Sequence, residues 1–342
     1  MKKTAITLIT ILIFSVVFAA ALFAQQSDVV YVDGWVDIKD RSGDVFELFI
    51  GDSVSAGETV ITGDDGVAEL EPQRGSRIII QPGTIFKVQE RDGRNGRQTV
   101  LSTTMGQVAF KFNRMTQEPV ITTPSTVAGV RGTEFTVYAG ADGSSLITVE
   151  SGAVEVSGQG ESVYLEPAEG VEVKAGQAPG VKFEVKEGKI DFADWNSGKI
   201  DAMMGDPAEA LTTMTAQLEE ITADLEYWAG RHAENSKRLK ELRETQKSLF
   251  DEDKADEARA LNADEVKPLE YETSRMVLNY RYYSLSALSL RQHILTGFYV
   301  RMKTAFITDR QNPVYTGFLK NYEQLLERFE NRVAPYLVET DY

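Results

Sequence analysis

TTPSTVAGVRGTEFTV, residues 122–137, is the stretch whose reading decides the fold of this 342-residue chain. Gly129 and Gly132 bracket Val130-Arg131, so the backbone is expected to turn sharply where a Cβ would be poorly tolerated. Thr133 and Phe135 suit a strand leaving that turn, with Phe135 and Val137 alternating onto one inward face. The same period of two recurs on both sides, in Val108, Phe110 and Phe112, in Val154 and Val156, and in Val171 and Val173. Turn signals such as Gly51-Asp52, Gly63-Asp64-Asp65-Gly66, Gln81-Pro82-Gly83 and Asp142-Gly143 separate these runs, at the spacing of roughly 8–12 residues typical of all-β domains. The pattern predicts an all-β unit over residues 29–185, a roll with a solenoid-like rhythm of strand and glycine turn.

Beyond this unit the composition changes. Of 27 glycines, 24 lie at or before Gly205, and nine of the 13 tyrosines lie beyond residue 270. A linker is expected over residues 186–206, followed by a helical domain over 207–342. Leu211, Met214, Leu218, Ile221, Leu225 and Trp228, then Leu239, Leu242 and Leu249, step by three and four residues in the manner of a coiled-coil seam. His232, Asn235 and Gln246 are polar positions on the same seam. Asp206-Pro207 supplies a cap and a first-turn proline. An acidic stretch from Asp251 to Val266 reads as the exposed tip of a hairpin. Two further helical patterns run from about Pro268 to Ile307 and from about Val314 to Leu337, parted by Asn312-Pro313. Three long amphipathic helices with short connections imply an antiparallel long-helix bundle that supplies the seam's partner within the chain. Self-association through the helical domain is the alternative.

The N-terminus has the layout of a secretory signal peptide over residues 1–24. Lys2 and Lys3 precede an apolar run from Ala5 to Phe23, and small residues (Ala19, Ala20, Ala21, Ala24) close it. Export to the periplasm or cell envelope is expected, by cleavage or with the run kept as an inner-membrane anchor. No cysteine is present, so neither disulfides nor a lipidated cysteine is expected. The formal net charge is −16, and −18 once Lys2 and Lys3 leave with the signal. That sign repels nucleic acid and anionic lipid, so nucleic-acid binding is not expected. Two histidines and no cysteine supply no Cys/His metal cluster. Asp64-Asp65 reads as a solvated β-turn, and neither a metal nor a cofactor is assigned. Both histidines fall in helical patterns away from any evident nucleophile, and nothing selects one carboxylate pair as acid and base, so the chain is not read as an enzyme.

The stretch from Thr122 to Val137 resembles the signature of the FecR-type domain family, in which a Thr-Pro is followed by an Arg-Gly-Thr-x-Phe core. Here Thr123-Pro124 and Arg131-Gly132-Thr133-Glu134-Phe135 supply it. GDSVSAGETVITGDDGVAEL resembles the family's opening strands, and SLITVESGAVEV with VYLEPAEGVEV its closing ones. The resemblance covers roughly residues 34–180 and implies a periplasmic β-domain. It also implies a relay in which a cytoplasmic segment controls a sigma factor and the periplasmic part senses an outer-membrane transporter. Only Met1-Lys2-Lys3-Thr4 precedes the apolar run, and the C-terminal half is helical, so that relay is not expected of this chain.

The candidate binding residues are Arg131, Gly132, Thr133 and Phe135 in the signature, and Tyr280 and Tyr283 in the helical half. Arg131 either ties strands together at a corner of the fold or offers its donor fork to a ligand. Tyr280 and Tyr283 lie one helical turn apart and suit either the bundle core or a contact surface. The expected role is an exported, non-catalytic interaction or scaffold protein whose β-domain binds an envelope protein or a glycan. The alternatives are a periplasmic sensor accessory to a membrane complex and, third, a polysaccharide-active enzyme.

Overall fold

The computed structural model describes residues 26–93, 96–113, 118–130, 132–159, 161–185 and 190–337. Among the described residues seventeen strands come first and helices follow. The strands are β1 (Ser27–Asp33), β2 (Val36–Lys39), β3 (Val45–Glu47), β4 (Ser53–Val54), β5 (Thr59–Thr62), β6 (Val67–Glu71), β7 (Arg77–Ile80), β8 (Ile85–Gly93) and β9 (Gly96–Lys111). They continue with β10 (Val120–Thr122), β11 (Val127–Val130), β12 (Glu134–Ala139), β13 (Ser145–Ser151), β14 (Val154–Gly158), β15 (Glu161–Leu165), β16 (Glu169–Val173) and β17 (Phe183–Glu184).

The pairings form two ladders. One runs β4-β1-β6-β7-β9-β12-β13-β16-β17. The other runs β3-β2-β5-β8-β9-β10-β11-β14-β15, antiparallel except for the parallel β9–β10 pair. The chain crosses from one layer to the other after every one or two strands, which is the roll that the strand-and-turn rhythm predicts. The long strand β9 belongs to both layers: Gly96–Met105 pairs with β8, and Gly106–Lys111 with β12. Gly106 makes the crossing possible. It sits at φ +103°, where an added Cβ would come within 2.5 Å of the Thr84 Cα.

One apolar core fills the space between the layers. The alternating residues Val108, Phe110, Phe135, Val137, Val154, Val156, Val171 and Val173 all point into it. Phe110 and Phe135, directly opposite in register, stack at 4.9 Å between ring centroids, and Phe112 and Phe86 tilt against Phe110.

The helices are α1 (Phe192–Gly205), α2 (Pro207–Asp251), α3 (Ala255–Leu261), α4 (Lys267–Ser289), α5 (Thr296–Ala305), α6 (Pro313–Arg332) and α7 (Ala334–Leu337). Single π-helical turns, Asn262–Val266 and Leu290–Leu295, join α3 to α4 and α4 to α5. Residues 192–205 therefore form a helix where the composition break suggests a linker. The Asp191 side chain caps α1 by accepting from the Asp194 N–H at 3.1 Å, and Phe192 and Trp195 dock on Tyr138 of β12. The acidic stretch is also more helical than a solvated tip, because the turn is confined to Glu252–Lys254, where Asp253 takes φ +61°.

Leu211, Met214, Leu218 and Leu225 of the seam are buried among residues from α4 to α6. The α2 and α4 helices run antiparallel: Arg243, late in α2, bonds Glu270 near the start of α4, while the earlier His232 stacks on the later Tyr280 at 6.2 Å. Arg332 of α6 closes the bundle on Glu219 and Glu226, the latter at 3.0 Å. The seam's partner is thus supplied within the chain.

Candidate functional site

Large apolar side chains belong inside a fold of this size. Six between residues 31 and 50 stand in solvent instead: Tyr31, Trp35, Val45, Phe46, Phe49 and Ile50, with Trp35 63% and Phe46 56% exposed. They sit on contiguous backbone. Phe46 is opposite Ile38 across the β2–β3 pair, the Leu48 N–H donates to the Val36 carbonyl at 2.9 Å, and the Gly51 N–H donates to the Val29 carbonyl at 2.9 Å. β3 pairs with β2 on one side, and no ladder joins its other edge among the described residues. Since the Leu48 N–H faces β2, strand alternation turns the Glu47 N–H outward.

The surroundings are strongly acidic. Residues 26–66 contain ten carboxylates and two cations, Lys39 and Arg41. Some of the acids hold turns: Asp65 accepts from the Trp35 N–H at 3.3 Å, Asp52 from the Phe49 N–H at 2.9 Å, and Asp40 from the Asp44 N–H at 3.0 Å. Arg41 is engaged in the fold, donating to the Ala56 carbonyl at 2.7 Å. An unpaired strand edge, exposed aromatic rings and a negative rim are the features that receive an extended, basic and apolar peptide.

The residues singled out from the sequence fall in different places. Phe135 is fully buried in the β core and Thr133 is buried beside Gly152. Gly132 is exposed at φ +59°, so the turn falls on it, whereas Gly129 belongs to β11 opposite Val120. Arg131 lies outside the described residues. Tyr280 is buried in the bundle, its hydroxyl donating to the Tyr336 carbonyl. Tyr283 is half-buried against Asp224, where burial and that carboxylate push its hydroxyl up from the ordinary tyrosine range.

Residues 58–155 match the family described as FecR protein. The β-unit carries a FecR-type domain. The FecR match begins at the residue before β5 and ends within β14, so the exposed edge at residues 31–50 and all the helices lie outside it. No curated protein matches the chain. Two crystal structures of a candidate anti-sigma factor from Parabacteroides distasonis ATCC 8503 are similar to it, at 17% and 18% identity with TM-scores of 0.30 and 0.32. Each alignment covers 37% of this chain and 59% of that one.

The helices cover the FecR layer that contains β8 and β9. Arg275 donates to Asp92 at 2.7 Å, and Asn279 accepts from the Asp92 N–H at 3.1 Å. Tyr282 joins Val100 and Val120 in a small apolar cluster. Lys87 of β8 is buried under the helices and donates to Ser289 at 2.5 Å. Burial and the neighbouring Lys39 push its ammonium down to about 8. His293, in the π-helical turn above, is pushed down to about 4 by burial and by Lys87 and Lys39. This face of the FecR domain is occupied by the chain's own helices, whereas the exposed residues 31–50 lie at the β2–β3 edge, outside the match.

The edge went unread in the sequence because its residues do not alternate. VFELFI, residues 45–50, places apolar pairs on both sides of Leu48, so at least one of each pair must face outward from a two-sided strand. Such a run within an acidic stretch is the signal that marks it.

Proposed function

We propose that this protein is an exported, non-catalytic component of the cell envelope whose β-unit captures an extended, basic segment of another envelope protein along the free edge of β3. The observation that carries this reading is the acid-rimmed apolar edge, because a chain so negative elsewhere has no packing reason to leave Trp35, Phe46, Phe49 and Ile50 in water. The FecR match is to a regulatory, non-catalytic family and supports signalling or assembly in the envelope. The apolar run from Ala5 to Phe23 supports export. Among the described residues no helix is long and apolar enough to cross a membrane.

Glu47→Pro tests the proposal with little disturbance of the fold. The substitution removes an outward N–H and leaves the bond from Leu48 to Val36 in place. Its expected effect on stability is under about 1 kcal/mol, in keeping with an edge position. In-cell crosslinking of the full chain is expected to lose its partner band with E47P and with Trp35→Ala. Full retention of the band in both variants would remove the edge from the account.

The packing of helices on the FecR domain also favours a sensor role. A ligand or partner that altered the buried Lys87–Ser289 contact would be felt in both halves of the chain.

A further inference from the structure

A second site lies where the two halves meet. A cleft of about 320 Å³ separates the FecR layer from α2 and α4. That volume is at the lower end of the range for small-molecule sites, roughly 300–1,000 Å³. The β side presents Gln89, Ser102, Thr104 and the turn around Pro124, and the helical side presents Gln217, Asp224 and the two tyrosines Tyr282 and Tyr283.

The lining is dense in neutral hydrogen-bonding groups. At the Pro124 turn the hydroxyls are already ordered: Ser145 donates to Thr123 at 2.6 Å, Ser125 and Ser145 lie 2.7 Å apart, and Thr123 and Thr126 lie 2.9 Å apart. Gln217 donates to the Pro124 carbonyl through Nε2. Its Oε1 and the Nε2 of Gln89 are buried with no hydrogen-bond partner among the described residues. Both glutamines line the cleft with Ser102, Thr104 and the hydroxyls of the Pro124 turn, and a wall of neutral amides and hydroxyls suits a ligand with several hydroxyl groups.

The charged groups at the cleft are engaged with the protein. Arg91 lies over the Tyr282 ring at 5.8 Å and reaches Gln98 at 3.4 Å. Glu220 accepts from Gln159 at 2.7 Å. Asp224 is held above the ordinary carboxylate range by burial, opposed by its hydrogen bond from Tyr283. Two carboxylates against one arginine give no excess of positive charge, which disfavours phosphates and other anions. The half-buried ring of Tyr283, its hydroxyl held by Asp224, adds an apolar face beside the polar lining, the pairing that a pyranose ring uses. Leu290 and Ile294 of the π-helical turn complete the wall, and such turns recur at functional sites.

We infer that this cleft binds a neutral saccharide of one or two rings, a fragment of an envelope glycan. The site is separate from the edge at β3 and stands on different residues. Isothermal titration of the full chain with N,N′-diacetylchitobiose, cellobiose and maltose is the test, with glucose 1-phosphate as the anionic comparison. At least one neutral disaccharide is expected to bind with a Kd between about 1 µM and 1 mM. Ser102→Tyr, which fills the cleft, is expected to weaken it at least tenfold at an unchanged unfolding midpoint. Asp224→Asn, the gentler change, should weaken it severalfold if S102Y does not fold. E47P should leave saccharide binding as it is, so failure here and failure at the β3 edge are separable. Absence of saturable binding by all three disaccharides, tighter binding of glucose 1-phosphate, or binding that S102Y and D224N both leave intact would overturn the assignment.

Discussion

Replacing Phe135 by alanine is expected to destabilise the full-length chain by about 3–5 kcal/mol, the usual cost of truncating a fully buried phenylalanine. The side chain has no exposure, stacks on Phe110 at 4.9 Å and lies 6.2 Å from Phe112. Its removal opens a cavity between two layers that are tied together by β9 and cannot easily close. Domains of this size are stable by only about 5–15 kcal/mol, so one truncation takes a large share. Phe135→Leu, which keeps most of the volume, should cost under about 1.5 kcal/mol. Phe46→Ala, at an exposed edge, should change stability by no more than about 0.5 kcal/mol. Urea midpoints at constant slope measure all three. A loss below about 1 kcal/mol for F135A would mean that the signature phenylalanine serves a ligand and not the core.

Acid is expected to loosen the chain through His293. Its folded value of about 4 lies below the unfolded value of 6.5. Between those values the unfolded chain binds the extra proton, so stability is complete above pH 6.5 and falls as pH drops toward 4. Going from pH 7 to pH 4.5 should remove about 2–3 kcal/mol through this group alone. Lys87 has the same sign at the alkaline end. Its folded value of about 8 lies below the unfolded 10.5, so its contribution grows as pH rises between them and is missing below pH 8. Lys87→Met should therefore stabilise the chain at pH 7 by up to about 3 kcal/mol, less what the lost bond to Ser289 contributed. It should also flatten the profile above pH 8 and make the acid loss smaller, since without that cation the folded His293 value rises toward the unfolded 6.5. Denaturant midpoints from pH 4 to 10 for the wild type, K87M and His293→Leu separate the two groups. An acid loss that persists unchanged in H293L would show that other groups cause it.

The parts of the fold that were legible in the sequence are those written in local periods. Phe110, Phe135, Val154 and Val171 announce strands because alternate positions face one core, and Gly51, Gly83 and Gly143 mark turns at positive φ. Leu211 to Leu225 announce a helix because a stripe every three or four residues must be covered. Other parts have no local period. The cleft gathers residues 89–91, 102–104, 122–126, 217–224 and 282–294, which are brought together only when the bundle docks on β8 and β9. Helix α1 depends on Asp191 as a cap and on aromatic contacts with Tyr138, more than fifty residues away in the chain. Of the tyrosine pair, the single helical turn between Tyr280 and Tyr283 does not reveal that one points into the bundle and the other toward Asp224. The exposed edge was written in the chain as VFELFI, and it is apparent as a surface only once β2 is seen to cover one side of β3 alone.

The most direct test of the account is site-specific photocrosslinking. A benzoyl-phenylalanine at position 46 of the full chain would be activated in intact cells, with the same probe at exposed Tyr227 of α2 as the comparison. Mass spectrometry of the joined peptides then reads what lies against β3. The account predicts that position 46 joins one segment of another envelope protein, rich in basic and apolar residues, that position 227 does not, and that E47P abolishes the product. Crosslinks from position 46 only to a second copy of this chain, only to lipid, or to nothing would contradict it.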